Sequence, residues 1–128
     1  MISLYGFIKE SMLRSRMKGY GGQASYIDFS EVRTYRQLLD VLDEFIEALT
    51  QNDAKCGVNI NSTLYKSGDY SWVLDGLKHL KDFNFEDKDI IDIDSQFKYK
   101  NRFHPTISIY HNKNAMCWNM KTQTWEIN

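Results

Sequence analysis

Residues 34–51, TYRQLLDVLDEFIEALTQ, have the strongest periodic pattern in the chain. Drawn at about 100° per residue, the large apolar side chains fall within an arc of about 120°, the width of a core-facing helical stripe. They are Tyr35, Leu38, Leu39, Leu42, Phe45, Ile46 and Leu49. Thr34 and Gln37 have the spacing of a capping box, which predicts that the helix begins there. The pattern predicts one amphipathic helix whose opposite side carries carboxylates.

Two further helices are predicted. Residues 3–18 repeat apolar side chains at helical spacing. The glycines of 19-GYGG-22 can adopt the positive φ that ends a helix. Residues 70–83 also place apolar side chains on one helical face. Gly76 lies in the middle of this third helix, where it should cost about 1 kcal/mol relative to alanine.

The apolar period falls to two in later segments, which predicts strands. The alternating segments are 57–61, 106–111, 115–120 and 124–127. A hairpin is predicted at 111-HNKN-114, and a second turn is expected near residues 121–123. Pro105 is expected to start the strand that follows it. We therefore predict an α+β fold with about three helices in the N-terminal two-thirds, packed on an antiparallel sheet formed mainly by the C-terminal strands. The length of 128 residues suits a single globular domain over residues 1–128.

Composition limits the possible partners and compartments. A net charge of −1 lacks the positive excess of general nucleic-acid binders, so we do not expect a nucleic-acid partner. No apolar run approaches the roughly 18 residues that cross a bilayer, so we expect no membrane partner. Cys56 and Cys117 are too few for a disulfide framework, and without an export signal they indicate reduced thiols in a cytoplasmic protein. A disulfide between the two remains an alternative.

Acidic residues are concentrated in two blocks. Residues 40–53 contain five acids and no base, and residues 82–94 contain six acids and only Lys88, so each block has a net charge of −5. The second block does not fit a calcium loop of the EF-hand type. Isoleucines interrupt the ligand spacing, and no glycine supports the sharp turn.

Two arrangements would suit a small nuclease. Glu86 and Lys88 have the E-x-K spacing of restriction-type nucleases, in which acids hold Mg²⁺ and the lysine orients the attacking water. The aspartate that usually follows a proline in that motif is missing, because the only proline is Pro105. Alternatively, His104 and His111 would act without a metal, although an extended strand separates them by roughly 20 Å. A zinc site built from these histidines and the cysteines lacks a ligand pair at the usual spacing.

Aromatic and basic side chains alternate in 97-FKYKNRF-103. Such a mixture can bind single-stranded nucleic acid, with rings stacking on bases. Alternation in a strand instead places Phe97, Tyr99 and Phe103 on one buried face, with the basic side chains on the solvent face. Core packing is the favoured interpretation of these rings.

The leading hypothesis is a non-enzymatic inhibitor of immunity type, which binds and neutralises a basic protein partner, such as a nuclease toxin, through an acidic surface. It requires the two acidic blocks to meet in the fold, and the analogy rests on charge and size alone. The predicted contact residues are Asp40, Asp43, Glu44, Glu47, Glu86, Asp87, Asp89, Asp92 and Asp94. No metal or cofactor is predicted for this function. The alternative is a small nuclease that uses Glu86 and Lys88, or His104 and His111.

Overall fold

A computed structural model describes residues 17–20, 23–52, 57–66 and 69–128. The strands are β1 (Met17–Tyr20), β2 (Gln23–Phe29), β3 (Gly57–Ile60), β4 (Thr63–Tyr65), β5 (Ile90–Tyr99), β6 (Arg102–His111), β7 (Asn114–Asn119) and β8 (Thr124–Ile127). The helices are α1 (Tyr35–Asp40), α2 (Leu42–Asn52) and α3 (Ser71–Leu77), and a 3-10 turn follows at Leu80–Asp82. The predicted first helix lies outside the described residues except for Met17 and Lys18. These two belong to β1, so its predicted end is wrong.

The strands form two four-stranded sheets. The first has the order β1-β2-β3-β4, in which β2 and β3 are parallel and α1 and α2 form the crossover between them. The second is an antiparallel meander of β5, β6, β7 and β8. The predicted α+β class, with helices before a C-terminal antiparallel sheet, is confirmed.

The capping box at the start of α1 is confirmed. Thr34 Oγ1 accepts the Gln37 N–H at 3.2 Å, and Gln37 Oε1 accepts the Thr34 N–H at 3.1 Å. The predicted single helix is interrupted at Val41, which has φ −121° and ψ 17°. An uninterrupted helix would place Val41 outside the apolar stripe. The break gives this β-branched side chain a contact with the core.

Gly76 allows α3 to lie directly on the second sheet. A Cβ at this position would stand 2.6 Å from Ile107 Cγ2 and 2.8 Å from Trp118 Cβ. The predicted third helix is shorter than expected, because α3 ends at Leu77 and only the 3-10 turn continues the segment. Buried side chains from both sheets, including Phe29 and Ile107, belong to one hydrophobic cluster.

The hairpin of β5 and β6 differs from the prediction. Pro105 lies inside β6 and does not start it. It stands opposite a register shift between Asp94 and Phe97, where the missing N–H breaks no regular ladder bond. Lys100 and Asn101 form the turn with φ values of 49° and 64°. Across it Lys98 pairs with Phe103, which is 61% exposed, so the placement of Phe103 on a buried face is wrong.

The two later turns agree with the sequence. Asn112 and Lys113 connect β6 to β7 with φ values of 47° and 70°, the left-handed backbone of a tight hairpin. The connection between β7 and β8 lies at residues 120–123. Among the described residues, no helix combines the length and the apolar character that crossing a membrane requires.

Candidate functional site

The predicted contact acids have different environments. On the helices, Asp40 and Asp43 are exposed, whereas Glu44 and Glu47 are half-buried. In the second block, Glu86 and Asp87 are exposed and Asp92 and Asp94 are half-buried. Asp89 is only 5% exposed, so its carboxylate does not face solvent. The nine acids therefore do not form a uniform exposed row.

The second acidic block contacts the first turn of α1, whose last residue, Asp40, begins the first block. The Tyr35 N–H donates to the Asp89 carbonyl at 2.7 Å, and the Arg36 N–H donates to the Asp87 carbonyl at 3.1 Å. The Arg36 guanidinium pairs with Asp40 at 2.6 Å. The hydrogen bond and charge of Asp40, and more weakly the charge of Asp87, raise the pKa of Arg36. At this junction Arg36 offsets part of the negative charge.

A cleft of about 260 Å³ opens where β4 meets the bulged part of β5. It is lined by Tyr65, Asp92, Ile93, Asp94, Ser95, Gln96 and Tyr110. Asp92 and Asp94 are two residues apart on one strand, so their side chains lie on the same face about 7 Å apart. The lining contains two carboxylates and no basic side chain. Both of these predicted acids line the same concave site.

Neutral donors hold both carboxylates. Asp92 Oδ1 accepts the Tyr65 hydroxyl and the Ile93 N–H. Asp94 accepts the Gln96 N–H at 2.8 Å and the Asn128 amide at 2.7 Å. Among the described residues, neither carboxylate forms an ion pair. Hydrogen bonds therefore fix the orientation of both carboxylates, and no cation among the described residues neutralises their charge.

Burial, followed by the hydrogen bond and charge of Asp92, raises the pKa of Tyr65 well above its ordinary value. Tyr65 therefore remains a hydroxyl donor to Asp92 at neutral pH. This bond joins β4 of the first sheet to β5 of the second. It fixes one wall of the cleft between the two sheets.

Apolar surface borders the cleft. Ile90 and Tyr110 are cross-strand partners on the face that carries Asp92. Ile90 is 41% exposed and Tyr110 is 48% exposed. Tyrosine is one of the residues enriched in protein interfaces, so the exposed Tyr110 and Ile90 give the cleft a border that a partner can cover.

A second cluster of polar side chains lies at the open end of the β5–β6 hairpin, where β5 begins and β6 ends. His111 Nδ1 lies 2.7 Å from Asp89 Oδ2, which also accepts the Glu86 N–H at 2.9 Å. Glu86, Asp89 and His111 offer ligand atoms that all lie within 4.8 Å of one another. The register that pairs Ile90 with Tyr110 places Asp89 opposite His111. Sequence spacing did not reveal this cluster, because it depends on the register of a hairpin of ten-residue strands.

The structure brings Glu86 and Lys88 of the first nuclease arrangement together, whereas it keeps His104 and His111 of the second apart. Lys88 Nζ lies 3.8 Å from Glu86, with 84% of the lysine side chain exposed. His104 stacks on Trp72 at 4.5 Å between ring centroids, whereas His111 pairs with Asp89. The two histidines are seven residues apart on β6, about 23 Å in an extended strand.

Cys117 is a buried free thiol, so it does not form a disulfide with Cys56, which lies outside the described residues. Burial is the main cause that raises the pKa of Cys117 to about 11. The neutral thiol dominates at physiological pH, and a thiolate nucleophile is not available there. Among the described residues, His104, His111 and Cys117 do not come together as a zinc site.

Comparison with protein-family models, with curated proteins and with solved structures returns no match. The fold places the chain in the α+β class, and the geometry above is the basis for assigning a function.

Proposed function

We propose that this chain is a non-enzymatic binding protein of the inhibitor or immunity type, and that it captures a basic protein partner. The observation that carries the proposal is the cleft in which Asp92 and Asp94 face solvent without a basic neighbour in the lining. A guanidinium or ammonium group from a partner would supply the missing countercharge. Arginine is the stronger candidate, because its planar donors bind carboxylates in pairs.

The surroundings of the cleft support the same role. Tyr65 and Tyr110 offer ring faces on which a cation can rest. Ile90 adds apolar contact area beside the charged group. Tyrosine and arginine are enriched among the residues that contribute most to protein interfaces, so an arginine that enters between Tyr65 and Tyr110 fits this pattern.

The other predicted contact residues have secondary roles in this proposal. Asp43, Glu86 and Asp87 are exposed acids that would speed the approach of a basic partner by long-range attraction. Asp40 contributes less, because Arg36 already pairs with it. Asp89 is buried beside His111, where their contact holds the segment that precedes β5, so Asp89 does not contact the partner.

The experiment is an affinity capture from the source cells with three baits. These are the wild-type chain, Asp92→Asn/Asp94→Asn, and Asp40→Asn/Asp43→Asn, in which the same number of charges is removed from exposed helix positions. The expected partner has a basic isoelectric point, elutes as salt is raised, and is lost with the cleft variant alone. A partner that the cleft variant retains would contradict the proposal.

A nuclease assay separates the alternative function. Purified chain is incubated with RNA and with DNA, with and without Mg²⁺, beside a Glu86→Gln variant. We expect no cleavage under any condition. Cleavage that Glu86→Gln abolishes would establish the metal-dependent nuclease and overturn the non-enzymatic proposal.

A further inference from the structure

We infer that Glu86, Asp89 and His111 form a binding site for a divalent transition-metal ion such as Zn²⁺. The site lies at the open end of the β5–β6 hairpin, uses no residue of the cleft and requires no partner. It shares only Glu86 with the exposed acids to which the proposed function assigns long-range attraction. Its ligand atoms lie within 4.8 Å of one another. Two carboxylates and one imidazole are a ligand set that zinc and its neighbours accept.

The distances allow an ion to enter with small movements. Metal–nitrogen and metal–oxygen bonds near 2.1 Å place two ligands on one ion about 3.0 to 3.4 Å apart. His111 Nδ1 and Asp89 Oδ2 are already 2.7 Å apart. These two atoms therefore need to move apart by less than about 1 Å to bind one metal ion together.

The two inner ligands are held by their surroundings. Asp89 is buried, and its Oδ2 also accepts the Glu86 N–H, which fixes the carboxylate. The His111 ring lies edge-on to Phe83 at 5.3 Å and to Phe85 at 6.3 Å between ring centroids. Apolar walls that restrict ligand motion and water access strengthen a metal site.

The third ligand is mobile enough to close the site. Glu86 is exposed, and its contact with Lys88 at 3.8 Å is a surface ion pair of small energy. Its carboxylate can turn from Lys88 to the ion at little cost. Three protein ligands leave room for water to complete the coordination.

Metal binding through Nδ1 requires the neutral His111 tautomer that carries its proton on Nε2. Coordination through Nδ1 leaves the ring proton on Nε2, which lies 3.1 Å from the Asn112 amide nitrogen. A half-turn of that amide presents its oxygen to the Nε2–H as an acceptor. Asn112 would then orient the ring as an outer partner of the site.

Metal binding is tested on the full-length chain carrying Cys56→Ser, which removes one competing thiol. Zn²⁺ is titrated by calorimetry, and Co²⁺ is followed by its visible absorption, in which a histidine ligand is detectable. Glu86→Gln and His111→Gln are compared with His79→Gln, since His79 Nδ1 lies 2.7 Å from the Asp75 carbonyl and His79 belongs to no ligand cluster within the described part of the chain.

We expect one Zn²⁺ per chain and a Co²⁺ absorption band that His79→Gln retains. Glu86→Gln should weaken binding at least about tenfold, and His111→Gln should abolish the band. Glu86 is exposed, so its substitution tests the site even if His111→Gln is unstable. Absence of a Co²⁺ band in the parent chain, or equal Zn²⁺ affinity in the parent and both site variants, would overturn the inference.

Discussion

At the scale of single residues, one hydroxyl connects the two sheets. Tyr65 extends from β4 and donates to Asp92 of β5, and burial keeps this hydroxyl protonated far above neutral pH. Asp92 also accepts the adjacent Ile93 N–H, so loss of the tyrosine leaves its carboxylate with one donor. Tyr65 thus stabilises the fold and fixes a cleft carboxylate at the same time.

The substitution Tyr65→Phe should lower the free energy of unfolding by about 1 kcal/mol at pH 7, since the hydroxyl donates to a charged acceptor at a half-buried site. The matched control is Tyr110→Phe, because Tyr110 lines the same cleft and is exposed. Urea unfolding measures both variants. Equal losses in the two would contradict the role assigned to the Tyr65 hydroxyl.

The raised pKa of Tyr65 also predicts a dependence on alkaline pH. The pKa of Tyr65 in the folded chain lies above the ordinary tyrosine value near 10, so its contribution to stability is complete below about pH 10 and is lost as the pH rises further. Unfolding between pH 9 and pH 11 should therefore show a steeper fall in stability for the wild-type chain than for Tyr65→Phe. Parallel curves would refute this assignment.

Cys117 should be unreactive in the native chain. Burial raises its pKa to about 11, and Ser108 and Asp94 lie beside its sulfur. In a Cys56→Ser background, a thiol reagent at pH 7.5 should label the chain only when denaturant is added, because access and thiolate are both lacking. Rapid labelling of the folded chain would show that the Cys117 site is open.

At the scale of elements, one glycine sets the position of α3. Gly76→Ala would improve helix propensity by about 1 kcal/mol. The added Cβ, however, meets Ile107 and Trp118 at less than 3.0 Å. Crowding of this kind costs about 1 to 3 kcal/mol. We therefore expect Gly76→Ala to lower the stability of the chain, as measured by thermal or urea unfolding. The control Ser71→Ala changes an exposed residue at the start of α3 and should have little effect. A stabilised Gly76→Ala chain would show that α3 does not lie against β6 and β7.

The elements differ in how well local sequence predicts them. The capping box of α1 and the left-handed turn at 112–113 are local signals, and both are present. The break at Val41 depends on packing against the core, which helical spacing does not contain. β5 is not predicted, although Ile91 and Ile93 alternate with Asp92 and Asp94, because aspartate is depleted in strands and weakens the local strand signal.

The same limit applies to the site. The sequence identifies the acids, but their exposure depends on the pairing of β5 with β6. That register buries Asp89 beside His111 and turns Asp92 and Asp94 toward the cleft. Contacts between residues about 20 positions apart cannot be read from local periodicity.

At the scale of the whole molecule, the local distribution of charge matters more for binding than the net charge. The chain has a net charge of −1, yet the cleft concentrates two carboxylates without a basic side chain in its lining. Asp40, in contrast, pairs with Arg36. The binding proposal follows from this local imbalance, and the near-neutral total has little bearing on it.

The most direct test uses NMR with two short peptides of the same length, one containing arginine and the other containing citrulline, which keeps the shape and lacks the charge. We predict that the arginine peptide shifts the backbone amides of Asp92, Asp94 and Tyr110, and that the citrulline peptide does not. Asp92→Asn/Asp94→Asn should abolish these shifts, and Asp40→Asn/Asp43→Asn should retain them. Shifts that persist in the cleft variant, or that centre on α2, would contradict the central claim that the β4–β5 cleft is the cation-binding site.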